Sequence, residues 1–153
     1  MPIQPLFETL APAGPVANPA AADRLRETLI EAADADGWTD VLNASWPALA
    51  PVAGASPYLA GLMRRRPVHL RRLLEADPGE SLSRIVRETD ALDGDPEAVR
   101  APLRVLKADL HLLTALSDLG GVWDLDQVTA ALSAFADACL LYTSPSPRDG
   151  LLS

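Results

Sequence analysis

Residues 103–140 read LRVLKADLHLLTALSDLGGVWDLDQVTAALSAFADACL, and this stretch decides the fold. Leucines at 103, 106, 110, 113 and 116 step by 3, 4, 3 and 3, which keeps them on one face of an α-helix. Gly120-Gly121 ends that helix. Asp124 then caps a second one, with Gln127 at the reciprocal position of a capping box. Along it Leu125, Val128, Leu132, Phe135 and Cys139 step by 3, 4, 3 and 4, which reads as a packing seam. The short link Gly-Gly-Val-Trp-Asp predicts that the two helices are antiparallel neighbours, the first seam against the second.

The same grammar extends upstream. Asp77-Pro78-Gly79-Glu80 starts a helix that runs to about Ala91, with Leu82, Ile85 and Val86 apolar. Asp93-Gly94-Asp95-Pro96-Glu97 is a turn that leads into a new cap, and Pro102 is expected to kink or delay the helix behind it. Ser56-Pro57 opens SPYLAGLMRRR, which should bury Tyr58, Leu59, Leu62 and Met63. Pro67 closes that helix, because the residue before a proline is pushed out of helical geometry. PVHLRRLLEAD follows with Val68, Leu70, Leu73 and Leu74 inward. Farther upstream, Ala20–Asp34 carries Leu25, Leu29 and Ile30 on one face and Arg24, Arg26, Glu27 and Glu31 on the other. A short helix over Trp38–Leu42 is expected to dissolve into turns at Pro47 and Pro51. Residues 1–18 form a mobile Pro-rich arm, with Leu6, Phe7 and Leu10 able to dock locally. The fold class is therefore an all-α bundle of about six helices.

Composition agrees. The 153 residues are 48% hydrophobic and only 5% aromatic, and the apolar share is mainly the helix formers Ala and Leu. The net charge of −8 disfavours binding to nucleic-acid phosphates. A single cysteine, Cys139, excludes an internal disulfide framework. No apolar run reaches the ~20 residues that span a bilayer, and the N-terminus lacks the pattern of a secretory leader. No nucleic acid, no membrane and a cytoplasmic location are the expectations.

Candidate chemistry is sparse. GGVWDLD, residues 120–126, places Gly before an Asp-x-Asp pair, as nucleotidyltransferase metal sites do. Such a pair needs a strand, where alternate side chains share a face. Here Asp124 caps a helix and Asp126 sits in its positive first turn. Asp34 with Asp36, and Asp93 with Asp95, read the same way at helix ends. Arg64, Arg65, Arg66, Arg71 and Arg72 form a basic cluster that reads as a solvated face with local ion pairs. His69 and His111 lack ligand spacing and read as surface or half-buried residues. Cys139 lies on the seam as a buried thiol. No nucleophile elbow, phosphate loop or dinucleotide motif occurs. No residue is therefore assigned to catalysis, to a cofactor or to a metal.

Two stretches carry a resemblance. SPYLAGLMRRRPVHLRRLLEADP, residues 56–78, and residues 103–140 are similar to the N-terminal region of the glutamine synthetase adenylyltransferase/adenylyl-removing enzyme family. The resemblance rests on packing and capping residues: Ser-Pro-Tyr-Leu, Arg-x-Pro, Asp-Leu-Gly-Gly and a closing Ala-Asp-Ala. It implies a parent nucleotidyltransferase that uses ATP and Mg²⁺. It also implies glutamine synthetase as substrate and a nitrogen-signalling regulatory protein as partner. The family's Gly-x-Ser-Asp-x-Asp motif follows this region and does not occur here, so this chain is expected to be inactive and to bind neither ATP nor Mg²⁺. Residues 19–140 then form the helical region that precedes the adenylyl-removing core. Residues 141–153, within LLYTSPSPRDGLLS, resemble translated sequencing adapter, so native sequence is expected to stop near Cys139 or Leu140. The last helix should fray between Leu140 and Thr143, leaving 144–153 exposed. The alternative from the residues alone is a helical interaction module with a groove beside Trp38 and Trp46.

Overall fold

Proline at the first helical position sets the architecture. Its missing N–H is no loss there and its fixed φ suits the helix. In the computed structural model, which describes residues 3–143 and side chains through Leu140, helices begin on Pro19, Pro57, Pro67, Pro78 and Pro96. The chain order is α1 (Leu6–Thr9), α2 (Pro19–Asp36), α3 (Thr39–Ala55), α4 (Pro57–Arg65), α5 (Pro67–Glu75), α6 (Pro78–Asp90), α7 (Pro96–Leu119) and α8 (Leu125–Thr143). Four of the five proline starts are capped by the preceding side chain. Asn18 accepts from Ala21 N at 3.1 Å, Ser56 from Leu59 N at 3.1 Å, Asp77 from Gly79 N at 2.9 Å and Asp95 from Ala98 N at 2.8 Å. Each cap contributes about 1 kcal/mol. The described residues contain no strand, so the all-α class holds.

Among the described residues eight helices stand where about six were expected, for two reasons. Residues 6–9 form a one-turn helix, and the region of Pro47 and Pro51 is not broken. Helix α3 runs unbroken through both prolines. A proline deprives the carbonyl four residues earlier of its donor. The two deprived carbonyls belong to Asn43 and Pro47, and both residues are exposed, so water can serve them. On the opposite side Leu42, Leu49 and Val52 are almost completely buried and hold the helix in place. Pro102 sits inside α7 on the same terms, with Ala98, whose carbonyl loses its donor, exposed.

Helix α7 is the hub and packs against α3, α4, α5, α6 and α8. Its expected seam is present: Leu106, Leu110, Leu113 and Leu116 are at most 5% exposed. Burial extends well beyond that seam, to Leu112, Ala108 and Asp109. In α8 the seam needs correction. Leu125 is 78% and Leu132 45% exposed, while Ala131, Phe135, Ala138 and Cys139 are buried. At ~100° per residue, Leu132 and Leu125 lie ~60° and ~80° to one flank of Phe135. The helix is rolled toward its alanines, whose small side chains let α6 and α7 approach. Similar shifts correct three other positions. Ile30 lies at the edge of the α2 face formed by Ala22, Leu25, Leu29 and Ala33. Val68 points away from the Leu70–Leu73–Leu74 face, and Tyr58 is exposed in the first turn of α4.

The Pro-rich arm is seated on the bundle rather than separate from it. Leu6 is fully buried, its N–H donates to Ala76 O at 2.9 Å, and Ala11 N donates to Gly120 O at 3.0 Å. The arm then crosses α3 at Gly54. A Cβ there would stand 2.9 Å from Val16 Cγ1 and 3.1 Å from Asn18 N. Gly→Ala inside a helix ordinarily stabilises by about 1 kcal/mol. At Gly54 the backbone of Asn18 blocks the methyl, so the sign should reverse. Urea melts of Gly54→Ala are expected to show a loss of about 1–2 kcal/mol. A gain would mean that the arm does not sit against α3. Expectations for residues 144–153 lie outside the described residues, and α8 runs through Thr143.

Candidate functional site

Asp109 is the one acidic side chain buried among the described residues, with 1% of it exposed. It stands on α7 between leucine-bearing turns and faces α5 and α6. Three cationic or potentially cationic groups converge on it. His69 Nδ1 lies 3.0 Å from Oδ1, and Arg72 Nη2 and Arg84 Nη2 lie 3.3 and 3.4 Å from Oδ2. A carboxylate only accepts, so His69 Nδ1 carries the hydrogen and donates to it. Arg72 Nη2, 3.5 Å from the same ring nitrogen, is then a neighbouring donor that shares the acceptor rather than a bonded partner. Arg84 is mostly covered and also reaches Glu88 at 3.2 Å. The cluster thereby ties α5, α6 and α7 through one buried charge. Neither Asp109 nor Arg84 was singled out from sequence. A signal existed, because Asp109 lies between Leu106 and Leu113 at helical spacing, inside the apolar arc.

The other sequence candidates are dispersed. Arg71 pairs with Glu75 at 3.2 Å and donates to Asp36 O. Arg64, Arg65 and Arg66 make no ion pair among the described residues, so the basic cluster divides, with Arg72 turning inward. Asp34 accepts from Thr39 Oγ1 at 2.8 Å. Asp124 and Gln127 complete the full capping box, with Gln127 N to Asp124 at 2.8 Å and Asp124 N to Gln127 at 2.9 Å. At α6 the box is half made, since the Asp77 cap forms without a return bond from Glu80 among the described residues. His111 Nδ1 and the Tyr58 hydroxyl lie 2.7 Å apart in a hydrogen bond at the surface. Desolvation first, and Lys107 second, hold the His111 pKa below the ordinary histidine value, which favours the neutral ring. Burial pushes the Cys139 thiol up, against a smaller opposing pull from Lys107. That favours the thiol over the nucleophilic thiolate. Trp38 is 2% exposed and lies in the core, so it does not line the groove expected beside Trp38 and Trp46. Trp46 instead stacks under the Arg26 guanidinium, 5.7 Å from the ring centroid.

Among the described residues, no group of three His, Cys, Asp or Glu side chains converges as metal ligands do, and no helix is long and apolar enough to cross a membrane. Asp109 has no open face toward a substrate, and its acceptor sites are taken by His69, Arg72 and Arg84. What this arrangement does is hold helices in register. The fold and its ion cluster thus define a helical scaffold organised around a buried salt-bridged aspartate.

That scaffold belongs to the glutamate-ammonia ligase adenylyltransferase family, whose model matches residues 46–145. The matched region takes in α4 through α8 and the whole Asp109 cluster. The chain is 56% identical over 138 residues to the bifunctional glutamine synthetase adenylyltransferase/adenylyl-removing enzyme of Caulobacter vibrioides, covering 88% of this chain and 14% of the relative. It is 39% identical over 127 residues to the protein of the same name from Bradyrhizobium sp. strain ORS 278, covering 80% and 12%. The Rhodopseudomonas palustris strain TIE-1 protein is 42% identical over 92 residues, covering 58% and 9%. The chain therefore spans no more than 14% of the length of these relatives. No solved structure matches it.

Proposed function

We propose that this chain is a non-catalytic helical part of an enzyme that attaches adenylyl groups to glutamine synthetase and removes them. The observation that carries the reading is the family match across α4–α8 in a chain without the Gly-x-Ser-Asp-x-Asp motif. In the parent, carboxylates of that motif would hold Mg²⁺, which neutralises charge on the transferring phosphates of ATP. Residues 19–140 would stand before the adenylyl-removing core as scaffold, with a nitrogen-signalling protein regulating the whole enzyme in the cytoplasm. Residues 141–153 are proposed to be foreign to it. The family match runs to residue 145, so only residues from 146 onward lie beyond it.

The test is an AMP-transfer assay with glutamine synthetase, ATP and Mg²⁺. The full-length gene product should adenylylate and deadenylylate, and the 153-residue chain should do neither. Turnover by the chain that disappears in an Asp124→Ala, Asp126→Ala double variant would overturn the capping role of those aspartates and the reading with it.

A further inference from the structure

Leu6 is the one fully buried residue of the arm, and it enters the core where α1 meets α3 and α5. Phe7, Leu10 and Val16 pack on the same core from its edge. Two backbone hydrogen bonds join the arm to the body, Leu6 N to Ala76 O and Ala11 N to Gly120 O. The acceptors are the residues that close α5 and α7, ends at which helix carbonyls lack an intrahelical donor. Two glycines make room for the crossing. Gly54 on α3 lies under Val16 and Asn18, and Gly120 lies under Leu10, whose side chain stands where a Cβ would. We propose that residues 3–17 are a strap that lifts from the bundle and re-seats as a unit while α2–α8 stay folded, with Leu6 as its latch and Asn18, the cap of α2, as its hinge.

Little holds the strap compared with what holds the bundle. One leucine side chain leaves water completely and two backbone bonds form, against the entropy of ordering the whole segment. Pro5, Pro12 and Pro15 lower that cost, because their φ is fixed in either state. The same prolines lack N–H groups, so they add no donors that could tie the strap down more firmly. Opening leaves neither acceptor stranded, since both carbonyls sit at helix ends and meet water once the strap departs. The bundle keeps its own ties. The packing of α7 on α3, α4, α5, α6 and α8 involves no strap residue, and neither does the Asp109 cluster. Opening the strap therefore costs less than unfolding the bundle, which is the behaviour of a separate local unit. It uncovers the apolar seat of Leu6 against α3 and α5. The proposal concerns this chain alone and does not rest on the reading of its parent's activity.

Native-state hydrogen exchange of the 153-residue chain, followed by NMR in rising concentrations of urea below the unfolding transition, tests this. The Leu6 and Ala11 amides report on the strap, and the Leu112 amide, fully buried on α7, reports on the bundle. The two strap amides are expected to share one protection factor, at least about tenfold above an unstructured peptide and at least about 100-fold below that of Leu112. Urea should scarcely change it, because opening the strap exposes little surface, whereas Leu112 should lose protection steeply. Leu6→Ala removes the latch and should lower the protection of Ala11 at least about tenfold. Leu110→Ala should lower the protection of Leu112 and leave Leu6 and Ala11 within about twofold, because the bundle is folded in both strap states. Should Leu110→Ala fail to fold, the urea series on the unchanged chain decides alone. Strap amides that match Leu112 in protection and urea slope would make the arm an integral part of the bundle. Strap amides without protection would mean that it is not seated, and unequal protection at Leu6 and Ala11 would mean piecemeal fraying. Each of these three results overturns the proposal.

Discussion

Replacing Asp109 by leucine should destabilise the chain by about 3 kcal/mol, the low end for removing one partner of a buried ion pair. Leucine keeps the branched outline and suits the surrounding apolar arc, and its methyls are bulkier than the carboxylate oxygens, so no cavity is left. What is lost is the counter-charge. Arg84, 17% exposed, is left as a buried cation facing no anion except the exposed Glu88. Arg72 is 47% exposed and can swing into water, which keeps the loss at the low end of the range. The dissection follows from the same exposures. Arg72→Met should cost no more than about 1 kcal/mol, as for an exposed pair. Arg84→Met in the Asp109→Leu background should recover most of the loss, because it removes the orphaned charge. Urea denaturation of the parent chain and these three variants measures this. If Asp109→Leu is neutral, the cluster does not hold α5, α6 and α7 together.

Leu110→Ala is expected to cost about 4 kcal/mol, in the upper part of the 2–5 range for a buried leucine. Leu110 is 2% exposed on the helix that touches five others. The cost of a cavity depends on how far the surroundings can close over it, and α7, held from several sides, cannot move toward one neighbour without leaving another. Leu110→Met, which conserves volume, should cost less than about 1.5 kcal/mol. Leu132→Ala supplies the contrast. It belonged to the expected seam of α8, but at 45% exposure it should cost below about 1 kcal/mol in this chain. Losses from Leu110→Ala below those from Leu132→Ala would show that α8, not α7, organises the bundle.

Helix starts were the most legible feature of the candidate site and its frame, because they depend on neighbours in sequence. Ser56-Pro57, Asp77-Pro78, Asp95-Pro96 and the Asp124–Gln127 box each use a side chain to satisfy backbone donors two or three residues on. Such bonds meet a need that every helix start creates, the unpaired N–H groups of its first turn. The ion cluster was not legible in the same way. His69 and Arg72 come from α5, Arg84 from α6 and Asp109 from α7, and they are separated by 40, 37 and 25 residues from the carboxylate they meet. Sequence spacing placed the arginines of 64–72 together as one face. The structure divides them, because on α5 Arg71 turns toward the end of α2 while Arg72 turns toward α7.

By itself the sequence determined the all-α class, the proline-led helix starts, the leucine seam of α7 and the stretches that carry the family resemblance. These are local or periodic properties, set by backbone donors, proline geometry and the 3.6-residue repeat. Tertiary structure alone decided which arc of α8 faces inward, whether α3 survives Pro47 and Pro51, where Trp38 goes and what neutralises Asp109. Each of these turns on the free energy of a contact with a partner distant in sequence. Alanines pull α8 toward α6 and α7. The buried side of α3 outweighs two missing hydrogen bonds whose carbonyls face water. A carboxylate enters the core only because two arginines and a histidine from other helices arrive there with it.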